Sequence, residues 1–137
     1  MTSVLLIQEH GQPVPPTDGE PTISAADLPV DGAASAGARD TLEAVRTGRA
    51  DAIVLALPAG CGATEPTAAI KPLLDAARVP TVLCFPYNLH ALPRPSDQQV
   101  LAGLVTDATA VIYGFGPATV ELAIQAAVQL VRQRPEA

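Results

Sequence analysis

The apolar residues of this chain alternate between short continuous runs and longer helix-like stretches. The short runs are aliphatic and β-branched, and proline, glycine or polar residues bound them. They cover residues 4–7, 52–57, 81–85 and 110–113. Because runs that are apolar on both faces are typical of parallel strands covered by helices on both sides, we predict a strand at each of them.

Helix signals lie between these runs. Asp40 and Ser96 each begin a capping box, in which two side chains three residues apart satisfy free N–H groups at a helix start. Pro117 suits the first turn of a helix. The predicted helices cover residues 40–47, 72–77, 96–104 and 117–132. The last of them carries few polar residues, so we expect it to lie buried against the sheet or a partner.

The segment 8–37 differs from the rest of the chain. It holds five prolines and several glycines, which disfavour regular structure. We predict a long surface loop here, with one short strand around residues 21–24. A loop of this length within a compact domain is usually functional, mobile or evidence of an overlooked element.

The alternation of strands and helices defines the fold class. A chain of 137 residues suits one domain, and strand–helix alternation predicts an α/β three-layer sandwich with a mostly parallel sheet. Ligands of such folds bind at the carboxyl ends of the strands. The residues that follow the predicted strands are therefore the candidates for chemistry: Glu9, His10, Gly60, Cys61, Gly62, Cys84, Tyr87, Asn88, His90 and Gly116.

Cys84 is the strongest single candidate among them. A thiol at a strand end that faces a helix N-terminus has its thiolate stabilised by free N–H groups and the helix dipole. Glu9 or His90 could accept its proton, and N–H groups near Gly60 and Gly62 could stabilise an oxyanion. The alternative interpretation is that Cys84 is a small hydrophobic residue that fills the core.

The other candidates give weaker signals. Cys61 is a second thiol, a ligand-lining residue or a plain turn residue. Glu9, His10 and His90 have the ligand types of a zinc site but not a His-Glu-x-x-His spacing, so we expect no metal. The turn from Gly114 to Pro117 opens a helix and could bind an anion or carboxylate.

Three segments together resemble a known family. Residues 51–63 (DAIVLALPAGCGA) resemble the "D-hydrophobics-LPGG-x-GA" strand and turn of the ThiJ/PfpI superfamily. Residues 79–84 (VPTVLC) resemble its "KPVAAIC" strand, which ends in the nucleophile cysteine, and residues 116–123 (GPATVELA) resemble its "GPGT-x-EFA" helix start. The matches occur in the family's order, but the connection from Cys84 to Gly116 is shorter than the family's.

This resemblance implies a flavodoxin-like, doubly wound sheet of about five strands in a class I glutamine amidotransferase-like domain. It also implies a homodimer, a reactive Cys84 with Glu9 as its acidic neighbour, and chemistry on small carbonyl compounds that needs no cofactor. The substrate would contact Gly60, Cys61, Gly62, Tyr87, Asn88 and Gly116.

Composition narrows the possible partners. The net charge is −6, and aromatic residues make up only 3% of the chain, so nucleic acid would find neither cationic contacts nor stacking platforms. No apolar run has the length that crosses a bilayer, and the first residues lack a basic signal-peptide region. Two cysteines form no disulfide framework, which favours a reduced protein of the cytoplasm.

Three functions remain open at this point. The first is a small thiol-dependent enzyme with Cys84 as nucleophile, which requires a depressed pKa of that thiol. The second is a non-catalytic α/β module that binds a small metabolite at the strand ends, and dimerises or docks through its last helix. The third is a phosphotransfer protein that uses His10, although the chain's single lysine, Lys71, falls outside the strand-end cluster.

Overall fold

One parallel sheet organises the part of the chain that the computed structural model describes, namely residues 2–8, 11–16, 21–28, 36–48, 50–57, 73–85 and 108–133. Its strands are β1 (Ser3–Gln8), β2 (Thr22–Asp27), β3 (Ala52–Ala56), β4 (Thr81–Phe85) and β5 (Ala110–Tyr113). All neighbours pair in parallel, in the order β2-β1-β3-β4-β5. This is the strand order of flavodoxin-like folds, so the predicted α/β class is confirmed.

Within the ranges given above, two helices pack on this sheet. Helix α1 spans Ala36–Thr47 and helix α2 spans Thr119–Gln133. One helical turn at residues 73–76 follows the predicted helix at 72–77, whereas the predicted helix at 96–104 lies outside the described residues. None of the helices in the described ranges has the length and apolarity that a membrane crossing requires.

The start of α1 differs from the prediction. The helix begins four residues before Asp40, so Asp40 lies in its second turn and does not cap it. Alanine is the strongest helix former, which explains why the stretch from Ala36 extends the helix upstream. The C-terminal stop is as predicted, because the N–H of Gly48 donates to the carbonyl oxygen of Ala44 at 2.8 Å just after the last helical residue.

The segment 8–37 contains the predicted short strand but is not otherwise a single long loop. The strand, predicted around residues 21–24, is the six-residue β2, which pairs with β1 along its whole length, and the segment also holds the first part of α1. Most of β2 is exposed or half-buried, as expected of an edge strand. The sequence Ser-Ala-Ala-Asp within it lacks a strong strand pattern, so pairing with β1 decides its conformation.

The connection from β1 to β2 contains prolines where a flavodoxin-like fold ordinarily has a crossover helix. Residues 12–16 have no regular secondary structure. Proline removes a backbone donor and clashes with the preceding helical turn, so this stretch cannot form the usual helix. Pro15, Pro16 and Pro21 instead border an open groove of about 800 Å³ along the outer side of α2.

The two sheet faces carry separate cores. The face that we call the α1 face is lined by Leu and Ile side chains from β1 and β3 together with Leu83 and Phe85, and Val45 of α1 packs against it. The opposite face, which we call the α2 face, is lined by smaller residues that include Ala52, Ala56 and Cys84, and α2 packs against it. Alternation of side chains along each strand produces this division.

Asp51 stabilises the edge of the sheet at which the strands begin. The N–H of Ser3 donates to Oδ2 of Asp51 at 2.9 Å, and the N–H of Asp51 donates to the carbonyl oxygen of Ser3 at 2.8 Å. This reciprocal pair joins the start of β1 to the start of β3. The aspartate of the 51–63 motif therefore has a structural role at the amino edge of the sheet.

Candidate functional site

A pocket of about 570 Å³ lies at the carboxyl ends of β1, β3 and β4. Its floor includes Gln8, Ala56 and Cys84, the last residues that these strands direct toward the α2 face. One wall comes from residues 12–16, and the other comes from Gly116 and the first turn of α2. In the sheet, β2 lies on one side of β1 and β3 lies on the other, so the direction in which strands are added reverses between β1 and β3. The pocket lies at this point of reversal, where open α/β sheets ordinarily bind ligands.

Gln8 holds one wall of the pocket in place. Its side chain is buried, and its amide nitrogen Nε2 donates to the carbonyl oxygens of Gln12 at 3.0 Å and Pro13 at 3.4 Å. Pro13 has no N–H with which to pair with a strand. The side-chain amide of Gln8 therefore fixes this stretch in place of backbone pairing. The proline segment is thereby attached to the end of β1.

The opposite wall begins with a tight turn between β5 and α2. Gly114 and Gly116 have φ values of 86° and 56°, in the left-handed region where a side chain is strained. The hydroxyl of Thr119 donates to the carbonyl oxygen of Gly116 at 2.8 Å and accepts from the N–H of Phe115 at 3.2 Å. Gly114, together with the glycine and threonine of the 116–123 motif, therefore shapes the turn that places α2 beside the pocket.

Cys84 lies in the pocket wall, yet solvent does not reach it. The residue is 0% exposed and packs among aliphatic side chains that include Val54, Val82 and Ala123. Burial raises the pKa of the Cys84 thiol from 9.0 to about 12 because the interior cannot solvate a thiolate. This direction is opposite to the one that the predicted nucleophile requires.

The structure describes two of the residues predicted for the site. Cys84 and Gly116 both line the strand-end pocket. The other seven lie outside the described residues: Glu9, Gly60, Cys61, Gly62, Tyr87, Asn88 and His90. His10 of the phosphotransfer hypothesis also lies outside them. Among the described residues, no group of three metal-ligand side chains comes together.

The predicted anion site at the turn before α2 finds little support in the hydrogen bonds. The N–H of Ala118 donates to the carbonyl oxygen of Phe115 at 3.2 Å, and the N–H of Thr119 donates to that of Gly116. Pro117 has no N–H, and the N–H of Phe115 is bonded to Thr119. The N–H groups of Phe115, Ala118 and Thr119 are therefore not available to an anion.

Several pocket residues were absent from the sequence prediction. Gln8 is a polar residue at the end of a buried apolar run, and that position could have indicated an anchoring role. Ala56 is a small residue at a strand end, where it leaves space. Glu121 and Val120 follow Pro117 in the first turn of a predicted helix, and their side of that helix could be assigned only from the packing of α2.

The last helix is buried on one side only. Thr119, Ala123, Ile124 and Ala127 are buried, in agreement with the expectation that the helix packs against the sheet. Its exposed positions carry the polar residues Glu121, Gln125, Gln129 and Arg132. The helix therefore has a clearer polar side than its sequence suggested.

The fold and the pocket together define an α/β protein with flavodoxin-like strand order and a cavity at the carboxyl ends of its strands. Comparisons with protein-family models, curated proteins and solved structures found no match to this chain. Membership of the ThiJ/PfpI superfamily, and the homodimer that the resemblance implies, therefore stay predictions.

Proposed function

We propose that this protein binds a small molecule non-covalently in the strand-end pocket, and that Cys84 contributes to the pocket wall without acting as a nucleophile. The observation that carries the proposal is the position of the pocket. It opens where β1, β3 and β4 end and the winding of the sheet reverses, which is the ordinary ligand site of open α/β sheets.

The dimensions and lining of the pocket support this function. Its volume of about 570 Å³ falls within the range of roughly 300–1,000 Å³ that is usual for small-molecule sites. Apolar residues such as Val14, Leu57 and Val120 line it together with a few polar groups from Gln8 and Glu121. Apolar walls with a small number of polar groups are the common composition of such sites.

The state of Cys84 favours binding over covalent catalysis. A thiol whose pKa is about 12 is protonated at neutral pH, and the thiolate is the form that attacks an electrophile. The side chain is also 0% exposed to solvent. Cys84 therefore acts here as a small apolar residue that leaves room for the pocket.

Fragment binding followed by amide resonances in ¹H–¹⁵N spectra tests the proposal. We expect hits from a set of uncharged, cationic and anionic fragments to shift resonances around Gln8, Ala56 and Gly116. The variant Val120→Phe should block these shifts, because Val120 lines the pocket and is half-buried in the first turn of α2. Val128→Phe is the matched control, since Val128 is also half-buried on α2 but does not line the pocket.

Two outcomes would contradict the proposal. One is the absence of any fragment that shifts the resonances of the pocket residues. The other is equal loss of binding in both phenylalanine variants while both keep the wild-type fold, which would mean that the pocket is not the site. Circular dichroism of each variant shows whether the fold is retained.

The second candidate function is the thiol-dependent enzyme, and the presence of Cys84 in the wall of the pocket favours it. Alkylation of the native protein by iodoacetamide separates the two functions. In a Cys61→Ser background Cys84 is the remaining thiol, and the binding function predicts modification only after denaturation. Rapid and selective alkylation of native Cys84 near neutral pH would instead support the enzyme.

A further inference from the structure

The charge on the wall of the strand-end pocket indicates which ligands it accepts. Among the described residues that line the pocket, Glu121 is the only charged one. It is exposed in the first turn of α2. The whole chain carries a net charge of −6, so the surrounding potential adds to the repulsion of an anion at this position.

Several backbone donors at the turn before α2 are already in use. Free N–H groups and the helix dipole commonly make a helix N-terminus an anion site. Here the N–H groups of Phe115, Ala118 and Thr119 have protein acceptors, and Pro117 has no N–H to offer. An anionic ligand would thus meet a carboxylate with fewer of the donors that usually compensate for it.

Gln8 supplies the polar group that a ligand can use. The Nε2 donors of this side chain are bonded to the carbonyl oxygens of Gln12 and Pro13. Within the described residues no donor is bonded to its Oε1, and Gln8 is 7% exposed at the pocket floor. The Oε1 atom is an acceptor, so it selects a ligand that carries an N–H or O–H donor.

We propose that the strand-end pocket takes a small, largely apolar molecule that carries an N–H or O–H donor and no negative charge. Its walls favour apolar atoms, Gln8 Oε1 accepts one hydrogen bond, and Glu121 disfavours carboxylates and phosphates. This inference rests on the proposed binding function and adds the chemical class of the ligand.

Three probes with one aromatic framework test the selection directly. Benzyl alcohol is uncharged, benzylamine is a cation at neutral pH and benzoate is an anion. Titration of each into the ¹⁵N-labelled protein at pH 7 gives a dissociation constant from the resonances around Gln8, Ala56 and Val120. We expect the alcohol and the amine to bind at least about tenfold more tightly than benzoate, equivalent to about 1.4 kcal/mol.

A charge-neutral variant assigns the selection to Glu121. Glu121→Gln should tighten benzoate binding and weaken benzylamine binding by about threefold each, as expected for one exposed charge beside a ligand. Benzyl alcohol should bind both forms equally. Glu43→Gln removes an exposed carboxylate from α1, on the opposite side of the sheet, and should change none of the three constants.

The outcomes separate this inference from the proposed function. Benzoate binding that is as tight as that of the alcohol, or an unchanged benzoate constant in Glu121→Gln, overturns the ligand class while pocket binding stands. If none of the three probes binds, the charges of the fragments that do bind test the ligand class. A majority of anionic fragments among them overturns it. If no fragment shifts the pocket resonances either, the proposed function itself fails.

Discussion

The two faces of the sheet use different side chains for the same task. On the α1 face the strands end in large residues, with Leu55 on β3 and Phe85 on β4, and Phe85 stacks on Tyr113 with ring centroids 5.1 Å apart. On the α2 face the same strands end in Ala56 and Cys84. Both faces are buried, and the pocket is bordered by the small residues Ala56 and Cys84 together with their neighbours Leu57 and Phe85.

This difference indicates how a pocket can arise beside an ordinary core. Small residues on the α2 face are matched by Ala123 and Ala127 on α2, so the helix lies close to the middle of the sheet. In the described part of the chain, the α2 face presents Ala56 and Cys84 to the pocket at the strand ends. A pocket therefore follows from the size of a few residues, and the following experiments vary that size face by face.

The largest expected effect comes from adjacent residues on opposite faces. Phe85→Ala removes a ring that is 1% exposed and should lower the free energy of unfolding by about 3–5 kcal/mol. Cys84→Ala removes one buried atom beside the pocket and should lower it by about 1 kcal/mol. Guanidinium unfolding of both variants measures the difference. Equal losses would mean that the α2 face is as tightly packed at its strand end as the α1 face.

Two alanines on β3 compare positions along the α2 face itself. Ala52 is 0% exposed at the start of the strand, so Ala52→Leu should overpack the core and lower the free energy of unfolding by about 1–3 kcal/mol. Ala56→Leu places its extra atoms in the pocket and should lower it by less than about 1 kcal/mol. Urea unfolding measures both.

The same pair has a second readout. Ala56→Leu should abolish fragment binding because its side chain occupies the pocket, whereas Ala52→Leu should retain binding at temperatures where it stays folded. Retained binding in Ala56→Leu would show that ligands enter somewhere other than the strand ends.

The pH dependence of stability tests the environment of Cys84. Its pKa is about 12 in the folded protein and 9.0 without burial, so between these values the unfolded chain loses its proton first. The stabilisation is complete below pH 9 and decreases as the pH rises toward 12. Between pH 8 and pH 10 the free energy of unfolding of the wild type should fall by about 1 kcal/mol more than that of Cys84→Ala.

That comparison cancels the titration of Cys61 and the tyrosines, which are present in both proteins. Parallel pH profiles for the wild type and Cys84→Ala would contradict the burial of the thiol. They would also restore the case for a reactive cysteine.

The smallest expected effect concerns the proline wall. Gln8→Leu removes the amide that donates to the carbonyl oxygens of Gln12 and Pro13, and should change the free energy of unfolding by about 1 kcal/mol or less. The wall should become more mobile, with the ¹⁵N order parameter of Val14 falling from about 0.85 to below about 0.6. Gln133→Leu at the exposed end of α2 is the control, since Gln133 borders neither the pocket nor the groove, and it should leave Val14 unchanged.

An unchanged order parameter in Gln8→Leu would show that other contacts hold the proline segment. The difference between the faces would then depend on their core residues alone.

Prediction from the sequence succeeded where a segment carries its own signal. The runs at 81–85 and 110–113 form strands with the predicted limits. The strand predicted at 4–7 is one residue longer at each end, and the strand predicted at 52–57 is one residue shorter at its end. These runs are apolar on both faces, and a buried parallel strand requires that pattern. The strand β2 was underestimated because its small and polar residues form a strand only when β1 supplies the partner.

The site was less accessible to prediction for a related reason. The sequence placed Cys84 and Gly116 at strand ends, and both line the pocket. The sequence could not show that Cys84 is buried among residues that include Val82 and Ala123, and this burial is what raises the pKa of the thiol. Nor could it show that Gln8 is bonded to residues 12–13.

The sequence by itself determined the α/β class, four of the five strands and the edge of the sheet where a ligand would bind, because these follow from local apolar runs and from the geometry of parallel strands. Only the tertiary structure decided that this edge is a pocket and that its cysteine is a protonated part of the wall. Cavity volume and desolvation depend on side chains that are distant in the chain, so no local pattern records them.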